Sequence, residues 1–295
     1  MSEGWKPLPL PVNPIPVPLQ VETRAGNVFS VADRLDIPNL RIGDGQFRPA
    51  PKGTGGIIDL CGDTTKTIDT PTGVVDVAAF GFWEGDKCSQ MSGPDTYDNT
   101  RSRVVAKLER STAYYVEEGL WTGAPTAVPS SSESVLASTA ADDINGGILK
   151  GIVPAMSDMI DALNDALRGS RGVVHVPQSL IPFLEFYGMV TRTGNVLQVS
   201  GTDHVYVAGA GYPNTDPDGS APDAGEWWIY GTGAVNVRLG PVGGFPSQPF
   251  EALDRSINLV EVRAERAALA YFDPTAHIAV AVCTPDPGPA CATSS

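Results

Sequence analysis

Histidine and cysteine are scarce in this chain, three and four among 295 residues, which leaves little material for a metal centre or a redox pair. Cys61, Cys88, Cys283 and Cys291 show no Cys-x-x-Cys spacing. They read as ordinary buried or surface thiols, with a disulfide between Cys283 and Cys291 as the other option. His175, His204 and His277 each stand among apolar, strand-like neighbours, with no second histidine at helical spacing. They read as core histidines rather than ligands or general bases. No apolar run reaches the roughly 18 residues that a membrane span needs. Prolines break the one stretch that could imitate a signal peptide, so the expectation is a protein made in, and first acting in, a cytoplasm. Positive charge is also short: 20 Lys and Arg against 34 Asp and Glu give a net charge of −14. A dedicated nucleic-acid reader needs a basic stripe to displace counterions, and that class is excluded.

Signatures of catalysis are missing as well. Gly209-Ala-Gly211 and Gly231-Thr-Gly233 lack the third glycine of a dinucleotide loop and the Lys-Ser/Thr of a phosphate loop, and read as bends between strands. There is no Gly-x-Ser-x-Gly elbow. The acidic pairs Glu117-Glu118 and Asp142-Asp143 are adjacent residues that point apart on a helix, so they read as solvated faces. Asn214 to Gly219 copies the opening of a calcium loop, but its twelfth position is Gly225 where a glutamate is needed, and a turn-rich surface loop is expected. The cluster Arg101, Arg103, Lys107 and Arg110 is diluted by Glu109, Glu117 and Glu118, and reads as a solvated helix face. No catalytic, cofactor-binding or metal-ligating residue is assigned, and the expectation is not an enzyme.

What the chain does have is proline and glycine, 26 and 32 residues. Prolines at 7, 9, 11, 14, 16 and 18 alternate with aliphatic residues in KPLPLPVNPIPVPLQ (6–20). Proline fixes φ and donates no N–H, so this run is neither helix nor central strand; an extended rod is its natural form. Residues 1–52 as a whole show no period and read as an extended arm. Ile57 to Leu60 and Val74 to Phe80 flank turn signals at Pro71-Thr72-Gly73, which reads as a hairpin over 55–82. Val104, Leu108, Thr112, Val116 and Leu120 predict an amphipathic helix ended by Gly123 and Pro125, and residues 126–141 a loop. A second helix runs from Ile152 to Leu167, with Pro154 near its start and Gly169 at its stop. Gly172 to Val176 reads as a buried strand, followed by a third helix through Leu180 and Leu184. Strands follow at 196–200, 204–207, 227–230 and 234–239. Asn258 to Leu269 alternates, and His277 to Val282 is expected to pair back onto it. Strands and helices do not alternate regularly, so the class is α+β.

Five stretches in this order carry a resemblance: YVEEGLWTG (115–123), RGVVHVPQSLIP (171–182), VAGAGYPNTDPDG (207–219), WIYGTGAVNVRLGP (228–241) and VRAERAALA (262–270). The chain resembles the major capsid protein of tailed double-stranded-DNA bacteriophages, the Hong Kong 97-type capsid fold. The motifs span about residues 101–283; the arm and hairpin match by position only. The resemblance implies an extended N-arm at 1–52, an extended β-hairpin loop at 55–90, and a peripheral domain with its spine helix at 91–139 and 251–284. It also implies an axial domain at 140–250 and a C-terminal tail at 285–295. Partners implied are copies of the chain itself in hexamers and pentamers, a separate scaffolding protein, a portal, decoration proteins, and packaged DNA without sequence-specific binding. The place implied is the virion, assembled in the host bacterial cytoplasm, with no membrane and no cofactor. Leu8, Leu10, Val12, Ile15, Val17, Leu19, Ile57 and Ile58 would then be inter-subunit contacts, and Lys66 a candidate for covalent crosslinking by its location in the hairpin. An encapsulin-type nanocompartment shell shares this physics. A soluble enzyme or glycan-binding β-rich protein, using Trp227-Trp228 as a platform, is the alternative of a different class.

Overall fold

A computed structural model describes residues 8–9, 30–32, 45–47, 75–77, 79–88, 97–123, 135–194, 196–245, 253–254 and 259–284. In chain order the strands of the first part are β1 (Leu8–Pro9), β2 (Ser30–Ala32), β3 (Gly45–Phe47), β4 (Val75–Val77) and β5 (Phe80–Cys88). Helix α1 (Tyr97–Thr122) follows, then β6 (Asp142–Asp143), β7 (Lys150–Gly151), α2 (Ile152–Leu167) and β8 (Val173–Pro177). A 3-10 turn at Gln178–Leu180 leads into α3 (Ile181–Phe186). The remainder is β9 (Val190–Thr193), β10 (Val196–Val199), β11 (Val205–Gly209), β12 (Glu226–Thr232), β13 (Val235–Leu239), β14 (Gly243–Phe245), β15 (Leu253–Asp254), β16 (Leu259–Phe272) and β17 (His277–Cys283).

The predicted helices and most predicted strands are present. Helix α1 is longer than its apolar stripe, beginning at Tyr97 with Asp98 in the first turn, where a carboxylate suits the helix dipole. A buried stripe repeats at every fourth position, Thr100, Val104, Leu108, Thr112, Val116 and Leu120, joined near the end by Glu117 and Trp121. It ends where Gly123 takes a left-handed φ of 82° and bonds back to Gly119 O. Pro154 sits in the first turn of α2, where no intrahelical N–H is lost. The stop of α2 is shared by Arg168 and Gly169, at φ 50° and 78°.

Two main sheets organise these elements. One has the order β6-β17-β12-β8-β11-β10-β9, with β7 also on β17. Every residue of β8 and β17 is buried, because this sheet is covered on both faces. Val174, Val176, Ile229, Val280 and Val282 face α2 through Met156, Met159 and Leu163. Val173, Val205, Val207, Tyr230, Ala279 and Ala281 face the other way, toward Leu120 and Trp121 of α1. Burial on both sides explains why these strands read as continuous apolar runs rather than alternations. The second sheet is built on β16, with β5 along one edge and β13, β14 and β15 along the other; β2 extends it by pairing in parallel with Asn236–Arg238. Helix α1 covers one face of this sheet; on the opposite face Trp83 and Arg263 are exposed. A small third sheet has the order β1-β3-β4.

One expectation about pairing is overturned. His277 to Val282 does not pair back onto the preceding strand: β17 pairs with β12, β6 and β7, while β16 belongs to the other sheet. The reason is burial. A strand with one wet face and a strand dry on both faces cannot share one environment, so the chain steps between sheets at Asp273, whose carboxylate holds Thr275 N and Oγ1 at 3.0 and 2.8 Å. It makes a matching step between β12 and β13, so β13 joins the α1 sheet although it lies within 140–250. Phe80–Cys88, within the segment 55–90, pairs antiparallel along Val260–Ala268. Val75–Val77 pairs with Gly45–Phe47, and the Ile57–Leu60 run of the expected hairpin lies outside the described residues.

Candidate assembly surfaces

The residues that join the two main sheets form a buried polar chain. Gly211 lies against the backbone of α1, and its N–H donates to Glu117 Oε2 at 3.0 Å. Glu117 is therefore buried at 1% exposure, which corrects its reading as a solvated residue; Glu118 beside it is exposed. Next to Gly211, Tyr212 Oη lies 2.8 Å from His175 Nδ1, and Thr232 Oγ1 lies 2.8 Å from Nε2. Thr232 donates its own hydroxyl to Gly233 O at 2.9 Å, so the imidazole carries its proton on Nε2 and accepts from Tyr212 at Nδ1. Trp121 Nε1 donates to Thr215 Oγ1 at 2.8 Å, and its ring packs on Tyr212 at 4.7 Å and Tyr230 at 4.9 Å.

All three histidines are core residues, as the sequence predicts. Burial, then the neighbouring His277 imidazole, pushes His175 down to about 3. Burial pushes His277 down to about 4 against the opposing bond from its Nε2 to Leu136 O. His204 is lowered by burial too; its Nδ1 accepts from Gly172 N–H at 2.9 Å and its Nε2 faces Asn164 Oδ1 at 3.2 Å. Each ring makes at least one structural hydrogen bond. The Asn214–Gly219 segment is a turn, closed by Gly219 N to Asp216 O, with Asp216 Oδ1 accepting from Ser220 N at 2.7 Å. Gly231 is not a bend: it lies within β12, where Met159 Sδ stands 2.4 Å from any added Cβ. Cys283 is disulfide-bonded, which corrects its reading as an ordinary thiol; its partner lies outside the residues whose side chains are described.

A groove of about 750 Å³ runs between β5 and the C-terminal half of α1. Its walls are aromatic: Phe80, Phe82, Trp83 and Tyr115, with Phe82 stacked on Tyr115 at 5.2 Å. Trp83 is 60% exposed, held beneath Arg263 at 5.5 Å. Glu84 lines the same groove, taking Tyr115 O–H at 3.1 Å and Lys107 Nζ at 2.7 Å. Burial raises its carboxyl, but hydrogen bonds from Lys107, Ser111 and Tyr115 and the Lys107 charge outweigh that and hold it below the usual range. Arg103 likewise reaches Asp86 at 3.2 Å, so two of the four basic residues on α1 clamp the helix to β5 rather than facing water alone. Among the described residues β5 pairs on one side only, with β16. The alternation FGFW at 80–83 is a legible signal of a half-wet strand, which runs on to Cys88, beyond the hairpin read at 55–82.

Of the proposed inter-subunit residues, Leu8 lies in β1, at the edge of the small sheet beside Gly45. Leu10, Val12, Ile15, Val17, Leu19, Ile57, Ile58 and Lys66 lie outside the described residues. The glycan-platform alternative loses its footing: Trp228 is 9% exposed in the core, and Trp227 is half-buried against the α2 side.

No family model matches the chain, and no curated protein matches it. Solved structures do. A chain in the capsid of an empty GTA particle superposes with a TM-score of 0.53 at 11% identity, covering 93% of this chain and 95% of that one. A chain from Mycobacterium phage Ogopogo gives 0.52 at 13% identity, covering 93% and 97%. The architecture is thus an α+β fold of the capsid-protein kind. Within that kind, it is the fold of the tailed-phage major capsid proteins.

Proposed function

We propose that this chain is the major capsid protein of a tailed phage, a structural subunit without enzymatic activity. It assembles with itself into hexamers and pentamers of an icosahedral head of the Hong Kong 97 type, enclosing double-stranded DNA. The observation that carries this reading is the likeness to capsid chains over 93% of the length, spanning both main sheets rather than one common motif. In this reading the α1 sheet is the peripheral domain and the α2 sheet the axial domain. Residues 1–52 and the hairpin region reach neighbouring subunits. A proline rod is ordered at low cost because proline has already lost backbone freedom. Burying about 400 Å² of its apolar surface at ~25 cal/mol per Å² gives a gross gain near 10 kcal/mol, reduced by the cost of association.

The charge of −14 supports the same reading, since a container should not glue its DNA. Scaffolding, portal and decoration proteins are separate partners in this account, and the subunits act in the virion after assembly in the host bacterial cytoplasm. Size-exclusion chromatography with electron microscopy tests it: closed megadalton shells are expected, and a 31.0 kDa monomer under all conditions refutes it. Phage DNA inside purified particles separates a phage head from an encapsulin-type compartment. Deleting residues 1–20 is expected to leave a soluble subunit that closes no shells. If Lys66 forms a covalent crosslink, mature shells resist dissociation on a denaturing gel.

A further inference from the structure

Six large apolar side chains are exposed among the described residues, and four of them fall at the two ends of the α2 sheet. At one end, Phe186 and Tyr187 close α3 at 81% and 38% exposure, with their rings edge-to-face at 5.2 Å. Helix α3 is anchored by Ile181 and Leu184, both buried, and its last turn leaves the aromatic pair outside. The chain turns back at Gly188 and runs directly into β9, the terminal strand, where Arg192 Nε donates to Glu185 Oε1 at 2.9 Å. At the other end, Ile148 and Val153 flank β7 at 57% and 47% exposure. Gly146, Gly147 and Gly151 beside them are exposed, and a Cβ added at Gly146 would meet nothing within 4 Å. With the exposed Pro154, they leave an apolar surface of bare backbone open to an aromatic ring. Six strand-to-strand steps separate β6 from β9, so at about 4.8 Å each the two ends lie roughly 29 Å apart.

We propose that Phe186 and Tyr187 of one copy seat on the Ile148–Pro154 surface of the next, joining the α2 sheets side by side into a ring. The inference rests on the reading of this chain as a shell subunit. Within one chain the two patches cannot meet, because the width of the sheet stands between them. A two-fold contact of either patch would set like against like and leave the other patch of each copy bare. A head-to-tail contact covers both patches in every copy, and closes into a ring when the rotation between copies permits. That selects a second copy of this chain as the occupant. The pieces also match in kind. An aromatic pair standing out from the surface is the usual anchor of an interface, and glycine backbone with aliphatic side chains receives it. Charge agrees in sign: Arg192 stays exposed beside Glu185 at the β9 end, while the other end carries Asp142, Asp143 and Asp158 against Lys150.

The test uses full-length chains with benzoylphenylalanine at position 186, assembled from an equal mixture of ordinary and ¹⁵N-labelled protein. Electron microscopy of the same sample reports whether shells form. In shells, crosslinks from position 186 to residues 146–154 that join peptides of unlike label are expected. Crosslinks only to position 186 or 187 of another copy, only to some other segment, or only between peptides of like label overturn the proposal while leaving the shell reading intact. Absence of shells from the parent chain as well overturns both. Charge placement supplies a second arm that needs no probe. Phe186→Asp and Ile148→Lys each alter an exposed position, so the isolated subunit keeps its urea midpoint, and each is expected to lower the yield of shells at least about tenfold. Combined, they set a carboxylate against an ammonium across the contact and recover the yield at least about threefold over either single variant. Single variants that assemble like the parent, or a double variant no better than either single one, refute the contact.

Discussion

Replacing Gly211 by alanine tests whether α1 and the covered sheet are clamped where the structure places them. An added Cβ stands 2.2 Å from Tyr114 O and 3.1 Å from both Glu117 Cβ and Glu118 N. The first contact is helix backbone and cannot swing aside, so the loop must lift by roughly an ångström, an overpacking cost of about 1–3 kcal/mol. Lifting also breaks the 3.0 Å bond from Gly211 N to the buried Glu117 carboxylate. Losing a hydrogen bond to a charged, buried group adds about 1.5–3 kcal/mol. The sum of about 2.5–6 kcal/mol is a large part of a typical stability of roughly 5–15 kcal/mol. Urea unfolding of the subunit, read by tryptophan fluorescence, measures it, since Trp121 packs on the adjacent Tyr212. Gly231→Ala is the control. Its nearest contact, Met159 Sδ at 2.4 Å, belongs to a flexible thioether, so a smaller loss of about 1–2 kcal/mol is expected. A Gly211→Ala subunit within about 1 kcal/mol of the parent, or no milder effect at Gly231, would refute the clamp. Adding Glu117→Ala to Gly211→Ala should be less than additive, because both changes remove one contact.

Acid should destabilise the subunit in a defined window. His175 and His277 are neutral when folded, pushed down to about 3 and about 4, and regain an ordinary value when unfolded. Their contribution is complete above about pH 6.5 and is lost as pH falls toward those folded values, at up to about 1.4 kcal/mol per unit for each. A Tm unchanged between pH 7 and 4.5 contradicts this. Leu108→Ala, fully buried between α1 and the β16 sheet, should cost about 2–5 kcal/mol by denaturant unfolding. Alkylation of the unreduced, unfolded protein should leave Cys283 unmodified, and labelling there would remove the disulfide.

Helix α1 was legible because its burial repeats every fourth residue, and α2 because Pro154 and Gly169 bracket an apolar stripe. Strands β8, β11 and β12 were legible as apolar runs. The pairing of β5 with β16 and the burial of Glu117 were not. Each depends on which element comes to lie beside it, and nothing in the local sequence names that neighbour. Glu117 looks like Glu118 until Gly211, 94 positions away, presents a backbone N–H to one and not to the other.

Local composition by itself determined the class of elements, the scarcity of histidine and cysteine and the run of fixed-φ prolines near the N-terminus. Those properties arise from φ restriction, side-chain periodicity and charge, all acting within a few residues. Only the tertiary structure decided that β16 and β17, consecutive strands, part into different sheets, and that β13 and β5 flank one strand from opposite sides. Pairing is chosen by long-range burial, and a strand's own residues state how wet its faces are without stating which strand will cover them.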